Sequence, residues 1–172
     1  MRRILIVGSS GAGKSTLARQ VARRLDLPVI HLDRHYWQPG WVAPDHDRWR
    51  ATVAALAAGP AWVMDGNYGG SLDLRLPRAE LLVVLDLPWP LCLARVVRRR
   101  WERRAAGRPD LPPDCPERLD LPFLRYVWRY PRQARPRVFA AVAAHAPELP
   151  VVRLRSRAQL RRWLARLPPE AT

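Results

Sequence analysis

Residues 3–16 constrain this chain more than any other stretch. The apolar run Arg3-Ile-Leu-Ile-Val7 leads straight into Gly8-Ser9-Ser10-Gly11-Ala12-Gly13-Lys14-Ser15-Thr16. A short apolar run bounded by glycine reads as a strand buried on both faces. From Lys14 to Leu25 the period changes, with Leu17, Val21 and Leu25 at i, i+4 and i+8 on one face of a helix. Strand, glycine turn and helix, with G-x-x-x-x-G-K-[ST] across the turn, make a loop suited to holding phosphate. The glycines let successive N–H groups turn inward where a side chain would block approach. The helix N-terminus adds its partial positive charge, and the Ser15 hydroxyl suits Mg²⁺, a hard cation that prefers oxygen. Gly8, Gly11, Ala12, Gly13, Lys14, Ser15 and Thr16 are therefore the expected contacts of a nucleoside triphosphate, with ATP and Mg²⁺ as cofactors.

Composition sharpens that reading. The chain carries 30 lysines and arginines, and Lys14 is the sole lysine. Where arginine replaces lysine everywhere else, the survivor marks a place that a guanidinium does not fit. A compact ammonium on a flexible stem can bridge two phosphates inside a tight cradle, whereas the planar fork of arginine is bulkier.

Four more apolar runs read as parallel strands separated by helical pattern: Leu27–Leu32, Ala61–Met64, Leu81–Leu85 and Pro150–Leu154. Five such strands predict a doubly wound α/β sheet, with ligands gathered at the strand C-termini. Three of the four runs are followed by a carboxylate, Asp33, Asp65 and Asp86, and the last by Arg155-Ser156-Arg157. Carboxylates at three strand ends beside a phosphate loop suit Mg²⁺ and an acceptor hydroxyl. Ser156 with Gln159 also forms a capping box for the last helix.

The segment PWPLCLARVVRRRWERR, Pro88–Arg104, predicts an amphipathic helix with Leu91, Ala94, Val97 and Trp101 toward the sheet and Arg95 and Arg99 sharing a face. A proline-rich break, Gly107–Pro116, follows, and then a second helical stretch with Arg125, Arg129, Arg132 and Arg135. Helix, break and returning helix predict a lid over about 100–135 that excludes water and brings guanidinium groups to the transferring phosphate. Most of the arginine run is expected to be a solvated face.

At 172 residues the chain is expected to form one domain, 1–172. Cys92 and Cys115 form no CxxC pair and suit a reducing cytoplasm, and His31 and His35 straddle a strand end, which disfavours a metal site there. No apolar run is long enough for a membrane span or a secretory leader. The net charge of +15 admits a nucleic-acid partner, which is not favoured because an arginine-rich composition produces the same charge. Trp62 and Trp163 read as core, whereas Trp37 and Trp41, in HYWQPGW just beyond Asp33, can wall an acceptor pocket.

The segments GSSGAGKSTLA, PVIHLDRHYWQPGW, WVMDGNYGGSLDLRL, LDLPWPLCLARVVRRR, CPERLDLPFLRYVWRYPRQARPR and VVRLRSR together resemble the adenylate-kinase-related P-loop kinases. More narrowly, they resemble the small proteins described as DNA topology modulation proteins. The resemblance implies the sheet order 2-3-1-4-5 and a short lid between strands four and five. It implies that Asp65, in Asp65-Gly66, holds metal-bound water, that Arg95 and Arg99 face ATP, and that Asp86 is more structural. True adenylate kinases continue from Asp-Gly through Phe-Pro to an arginine that grips the nucleoside monophosphate. Here the run is Asp65-Gly-Asn-Tyr-Gly69. Asp33 is instead similar to the carboxylate that orients a hydroxyl in kinases of small hydroxylated acceptors, and Arg75 is the candidate replacement for the missing cation.

The expectation is therefore a kinase moving the γ-phosphoryl group of ATP to a small acceptor. Lys14, Asp33, Arg95, Arg99, Arg129 and Arg132 are expected to be catalytic, Ser15 and Asp65 to hold Mg²⁺, and Arg157 to lie near the nucleobase. Asp33, Trp37, Asn67, Tyr68 and Arg75 are expected to bind the acceptor, in a monomer or homodimer. The alternatives are a nucleic-acid-associated ATPase and an ATP-binding switch without turnover.

Overall fold

A computed structural model of the chain describes residues 1–102 and 120–168. The proline-rich break at Gly107–Pro116, with Cys115, lies outside the described residues. Five parallel strands, β1 (Arg3–Gly8), β2 (Val29–His31), β3 (Trp62–Asp65), β4 (Leu81–Leu85) and β5 (Val151–Leu154), form one sheet in the order β2-β3-β1-β4-β5. This is the order that the resemblance implied. The register sets Asp65 level with both Ile6 and His31, and Gly8 level with Leu85.

Strand periodicity divides the core in two. Ile4 and Ile6 of β1, Val63 of β3, and Leu81, Val83 and Leu85 of β4 point to one side of the sheet. Leu5, Val7, Trp62, Met64, Leu82 and Val84 point to the other. Both faces are covered, which is why these strands are apolar without alternation. Each such side chain contributes about 1.5–3 kcal/mol on burial.

On the first side lie α1 (Lys14–Leu25), α5 (Trp89–Glu102), α6 (Leu121–Arg129) and α8 (Arg157–Ala165), which give that core Leu17, Val21, Cys92, Val127 and Leu164. On the second lie α3 (His46–Ala57), α4 (Leu72–Arg75) and α7 (Ala134–His145), through Trp49, Val53, Leu72, Val138 and Val142. Asp45 caps α3 by accepting from the Arg48 N–H at 2.8 Å, and Asp120 caps α6 by accepting from the Phe123 N–H at 2.8 Å. At α8 the Ser156 hydroxyl accepts from the Gln159 N–H. The returning Gln159 side chain accepts from the Arg155 N–H, one residue before the cap.

Two local expectations are corrected. The second strand ends early, and Leu32 opens a short helix, α2 (Leu32–Tyr36), so Asp33 sits in a first helical turn. On α5 the fully buried positions are Cys92 and Val96, whereas Ala94, Val97 and Trp101 are exposed, Trp101 by 71%. The physical reason is close approach of the phosphate loop: a Cβ at Gly11 would fall 2.2 Å from the Cys92 carbonyl oxygen. That contact turns the Cys92–Val96 face inward.

Candidate active site

The phosphate loop joins β1 to α1, and its shape follows from its glycines. Gly13, the residue before α1, has φ +97 and leaves the helix start without a side-chain cap. Gly11, at φ +80, lies so close to the α5 backbone that no side chain fits there. Arg95 of α5 reinforces the contact, donating from Nη1 to the Gly11 and Ala12 carbonyls at 3.3 Å each. Burial, followed by the neighbouring Arg157 cation, lowers the pKa of Arg95. Within the loop the Ala12 N–H donates to the Ser9 carbonyl at 3.1 Å, and Lys14 Nζ reaches the same carbonyl at 3.2 Å.

A cavity of 680 Å³ opens over this loop. One part of its wall is Gly11, Gly13, Lys14, Ser15 and Thr16, and another is Asp33, Trp37, Trp41, Asn67 and Tyr68. Arg99 of α5 and Phe123, Tyr126 and Tyr130, from α6 and the residue after it, also line it. Asn67 links these parts through both ends of its amide. Its Oδ1 accepts from the Gly8 N–H at 3.0 Å, and its Nδ2 donates to the Tyr126 hydroxyl at 2.7 Å. The Tyr68 hydroxyl donates to Asp33 Oδ1 at 2.7 Å. Burial, and then the Asp33 charge, push the Tyr68 pKa up, so the hydroxyl stays protonated and keeps donating. Behind Tyr68 the rings of Tyr36 and Trp49 pack at 4.6–4.9 Å, and Tyr36 continues to Trp37 and Trp41.

The three strand-end carboxylates have three different surroundings. Asp33 lines the cavity. Asp65 is buried, and its Oδ1 lies 2.5 Å from His31 Nδ1. Asp86 is enclosed by two arginines, Arg153 and Arg135, with Arg153 Nε donating at 2.7 Å and Arg135 Nη1 at 3.0 Å. Burial opposes its ionisation, but the two guanidinium groups outweigh that and hold its pKa below the usual carboxylate range. Asp86 is thus part of an ion-pair cluster at the end of β4, and not a member of the cavity wall.

Other expected residues are placed elsewhere. Arg75 was expected to meet the acceptor, but its side chain is wholly buried and its guanidinium is spent on main-chain carbonyls. Arg129 is half-buried over the Trp128 ring and Arg132 is exposed, and neither lines the cavity. The residues of α6 that face inward are Phe123, Tyr126 and Val127, a spacing that turns Arg129 aside. Gly8 and Ala12 are buried beneath the loop, and Arg157 is exposed near Arg95. Two cavity-lining arginines were missed, Arg19 and Arg137. Arg19 lies four residues after Ser15 on α1, a helical spacing that was available in the sequence. Arg137 lies on α7 between two other cavity-lining residues, Ala134 and Val138, and Val138 is packed in the second core.

No family model matches the chain. A Bacillus subtilis (strain 168) protein, "Uncharacterized protein YqaC", is 27% identical over 104 residues, covering 59% of this chain and 58% of the relative. The chain thus spans little more than half the length of the curated relative it matches. Solved structures match across nearly the whole chain. Shikimate kinase from Acinetobacter baumannii, in complex with shikimate, superposes with a TM-score of 0.60 at 18% identity, covering 96% of this chain and 89% of that one. The fold is that of the P-loop kinases. Shikimate kinase from Aquifex aeolicus vf5 gives 0.53 at 15% identity, covering 95% and 94%. A gluconokinase from Sinorhizobium meliloti 1021 gives 0.52 at 19% identity, with the same coverage of both chains. Among the described residues no helix is long and apolar enough to cross a membrane.

Proposed function

We propose that this protein is a phosphotransferase that moves the γ-phosphoryl group of ATP to a hydroxyl of a small acceptor. The observation that carries the reading is one cavity walled at once by the phosphate loop with Lys14 and by Asp33 with its aromatic surround. The loop residues fit a polyphosphate: Gly13, at φ +97, lines the cavity with nothing within 4 Å of where a Cβ would stand, and a twelve-residue helix begins at Lys14. The Ser15 hydroxyl lines the cavity and is an oxygen donor of the kind Mg²⁺ takes, and Asp65, buried behind the lining against His31, would hold the ion through a bound water. When bound, the ion supplies charge neutralisation across the phosphates.

The remaining chemistry belongs to side chains. Lys14 and Arg99 balance the charge that spreads over the phosphoryl oxygens as the bond to the leaving ADP breaks. Arg95 holds the loop in shape through its carbonyls and acts from behind it. Asp33 accepts the proton of the acceptor hydroxyl as its oxygen bonds to phosphorus, and it offers Oδ2 for this because Oδ1 already accepts from Tyr68. Trp37 and Trp41 cover the acceptor and exclude water. One structural neighbour holds shikimate and another is a gluconokinase, which makes hydroxylated acids the starting probes.

The DNA topology modulation subgroup remains part of this proposal on the strength of HYWQPGW, whose tryptophans border the acceptor position. A nucleic-acid role gains little from the charge alone. Arg50, Arg135 and Arg153 are paired with Asp73 and Asp86, and Arg75 is buried, so part of the +15 is architectural.

The deciding experiment is an ADP-release screen over shikimate, gluconate, simple sugars and nucleosides with MgATP. Acceptor-dependent ADP release by the wild-type chain is expected for at least one class. Tight MgATP binding with no release over the whole panel would replace the kinase with an ATP-binding switch.

A further inference from the structure

Arg75 is the most deeply buried cation among the described residues, and its hydrogen bonds go to main-chain carbonyls while the Asp73 charge acts on it only from a distance. It is 0% exposed, and its guanidinium donates to four main-chain carbonyls: Gly66 at 2.9 Å, Asn67 at 2.7 Å, Tyr68 at 2.9 Å and Ser71 at 3.2 Å. Burial lowers its pKa to about 9, which leaves it ionised at neutral pH. A buried charge without a carboxylate is costly, and it persists here because four carbonyl dipoles converge on it. Lysine has no planar fork and does not satisfy the same set.

What the cation holds is an unfavourable backbone. Tyr68 has φ +31 and ψ 65, a left-handed conformation that costs a non-glycine residue about 1–2 kcal/mol. Its carbonyl accepts from three donors, Arg75 Nη2, the Ser71 N–H and the Ser71 hydroxyl. With the carbonyls of residues 66–68 drawn toward Arg75, the two side chains on this stretch are turned into the cavity. Asn67 then reaches the phosphate loop at Gly8, and Tyr68 reaches Asp33.

We propose that Arg75 is a positioning residue for phosphoryl transfer: by fixing residues 66–68 it aims the Tyr68 hydroxyl at Asp33 Oδ1 and so sets the direction of Oδ2 toward the acceptor. The inference rests on the kinase reading for its consequence in turnover, whereas the coupling of Arg75 to Asp33 stands on geometry alone. It accounts for a guanidinium of α4 buried beneath the loop that forms one wall of the cavity, and it replaces the expectation that Arg75 touches the acceptor.

The test uses the full chain with Arg75→Lys, Tyr68→Phe and the double variant. Water serves as the probe acceptor, through slow ADP release from MgATP alone. Each single variant is expected to lower kcat roughly tenfold or more while KM for MgATP stays within about twofold, because residues 66–68 meet the phosphate loop at Gly8, beneath the loop residues that line the cavity. The double variant is expected to fall no further than the weaker single one, since both act through Asp33. Wild-type turnover in Arg75→Lys, or a KM for MgATP that rises in step with the loss, overturns the proposal. A crystal structure of Arg75→Lys reads the coupling without any reaction. Tyr68 Oη is expected beyond about 3.5 Å from Asp33, and an unchanged hydrogen bond overturns the proposal. If wild-type protein binds no MgATP, the kinase reading falls, and the crystal structure still decides whether Arg75 aims Asp33.

Discussion

At the phosphate end of the cavity, Ser10, Gly11 and residues 13–16 form one continuous part of the wall, and their shape follows from glycine dihedrals and the start of one helix. At the acceptor end the wall is drawn from three distant segments, residues 33–41, 67–72 and 134–138. There the orientation of Asp33 depends on Tyr68, and that of Tyr68 on a guanidinium that faces no ligand. The first region is a local structure that packing merely seats. The second exists only once the sheet, α4 and α7 are assembled. A loop of the first kind can serve many reactions, while on the proposed reading specificity for an acceptor would reside in the second.

The largest expected effect tests the phosphate end. Lys14→Ala is expected to reduce ADP release by about a thousandfold or more without lowering the melting temperature appreciably, since the ammonium acts on developing charge and packs little core. Survival of turnover would show that the two ends are not divided as described. Next comes Gly11→Ala, which forces a Cβ onto the Cys92 carbonyl at a positive φ. A loss of about 3 kcal/mol is expected, or roughly 10 °C in thermal melting. Little loss would mean that the loop conformation is less dependent on α5 than the contact implies.

A smaller effect is expected from Asp86, outside both ends. Its folded pKa is depressed by Arg153 and Arg135, although burial opposes ionisation. A depressed carboxyl contributes stability that is complete above its unfolded pKa, about 3.9, and is lost as pH falls through the lower folded value. Asp86→Asn is expected to cost about 1–2 kcal/mol at pH 7 and to flatten the fall in melting temperature below roughly pH 4. An acid limb as steep as that of wild type would assign it to other carboxylates. The mildest change sharpens the acceptor end alone. Trp37→Ala is expected to raise KM for the acceptor about fivefold and to leave KM for MgATP unchanged, the pattern of lost uniform binding. Equal rises in both would extend Trp37 to the nucleotide.

How legible each region was in the sequence follows the same division. The phosphate loop was readable because its chemistry is written in neighbouring residues. The sheet was readable because strands buried on both faces are unbroken apolar runs, as in β1 and β4. The α5 face was misread because Leu91, Ala94, Val97 and Trp101 have helical spacing as good as that of Cys92 and Val96. The backbone of Gly11 chose between them. Arg129 and Arg132 were indistinguishable in type from Arg137, and the packing of α6 and α7 decided which arginine lines the cavity.

The amino-acid sequence alone determined the phosphate loop, the five apolar strands and the carboxylates placed just beyond three of them, because dihedral preference, periodicity and burial act over a few residues. Tertiary structure alone decided what each carboxylate does: Asp33 opens to the cavity, Asp65 pairs with His31, and Asp86 is closed between two arginines. It also moved Arg75 from the acceptor to the interior. The physical reason is that the state of a charged side chain depends on which groups lie within a few ångströms, and for these residues those groups come from other parts of the chain.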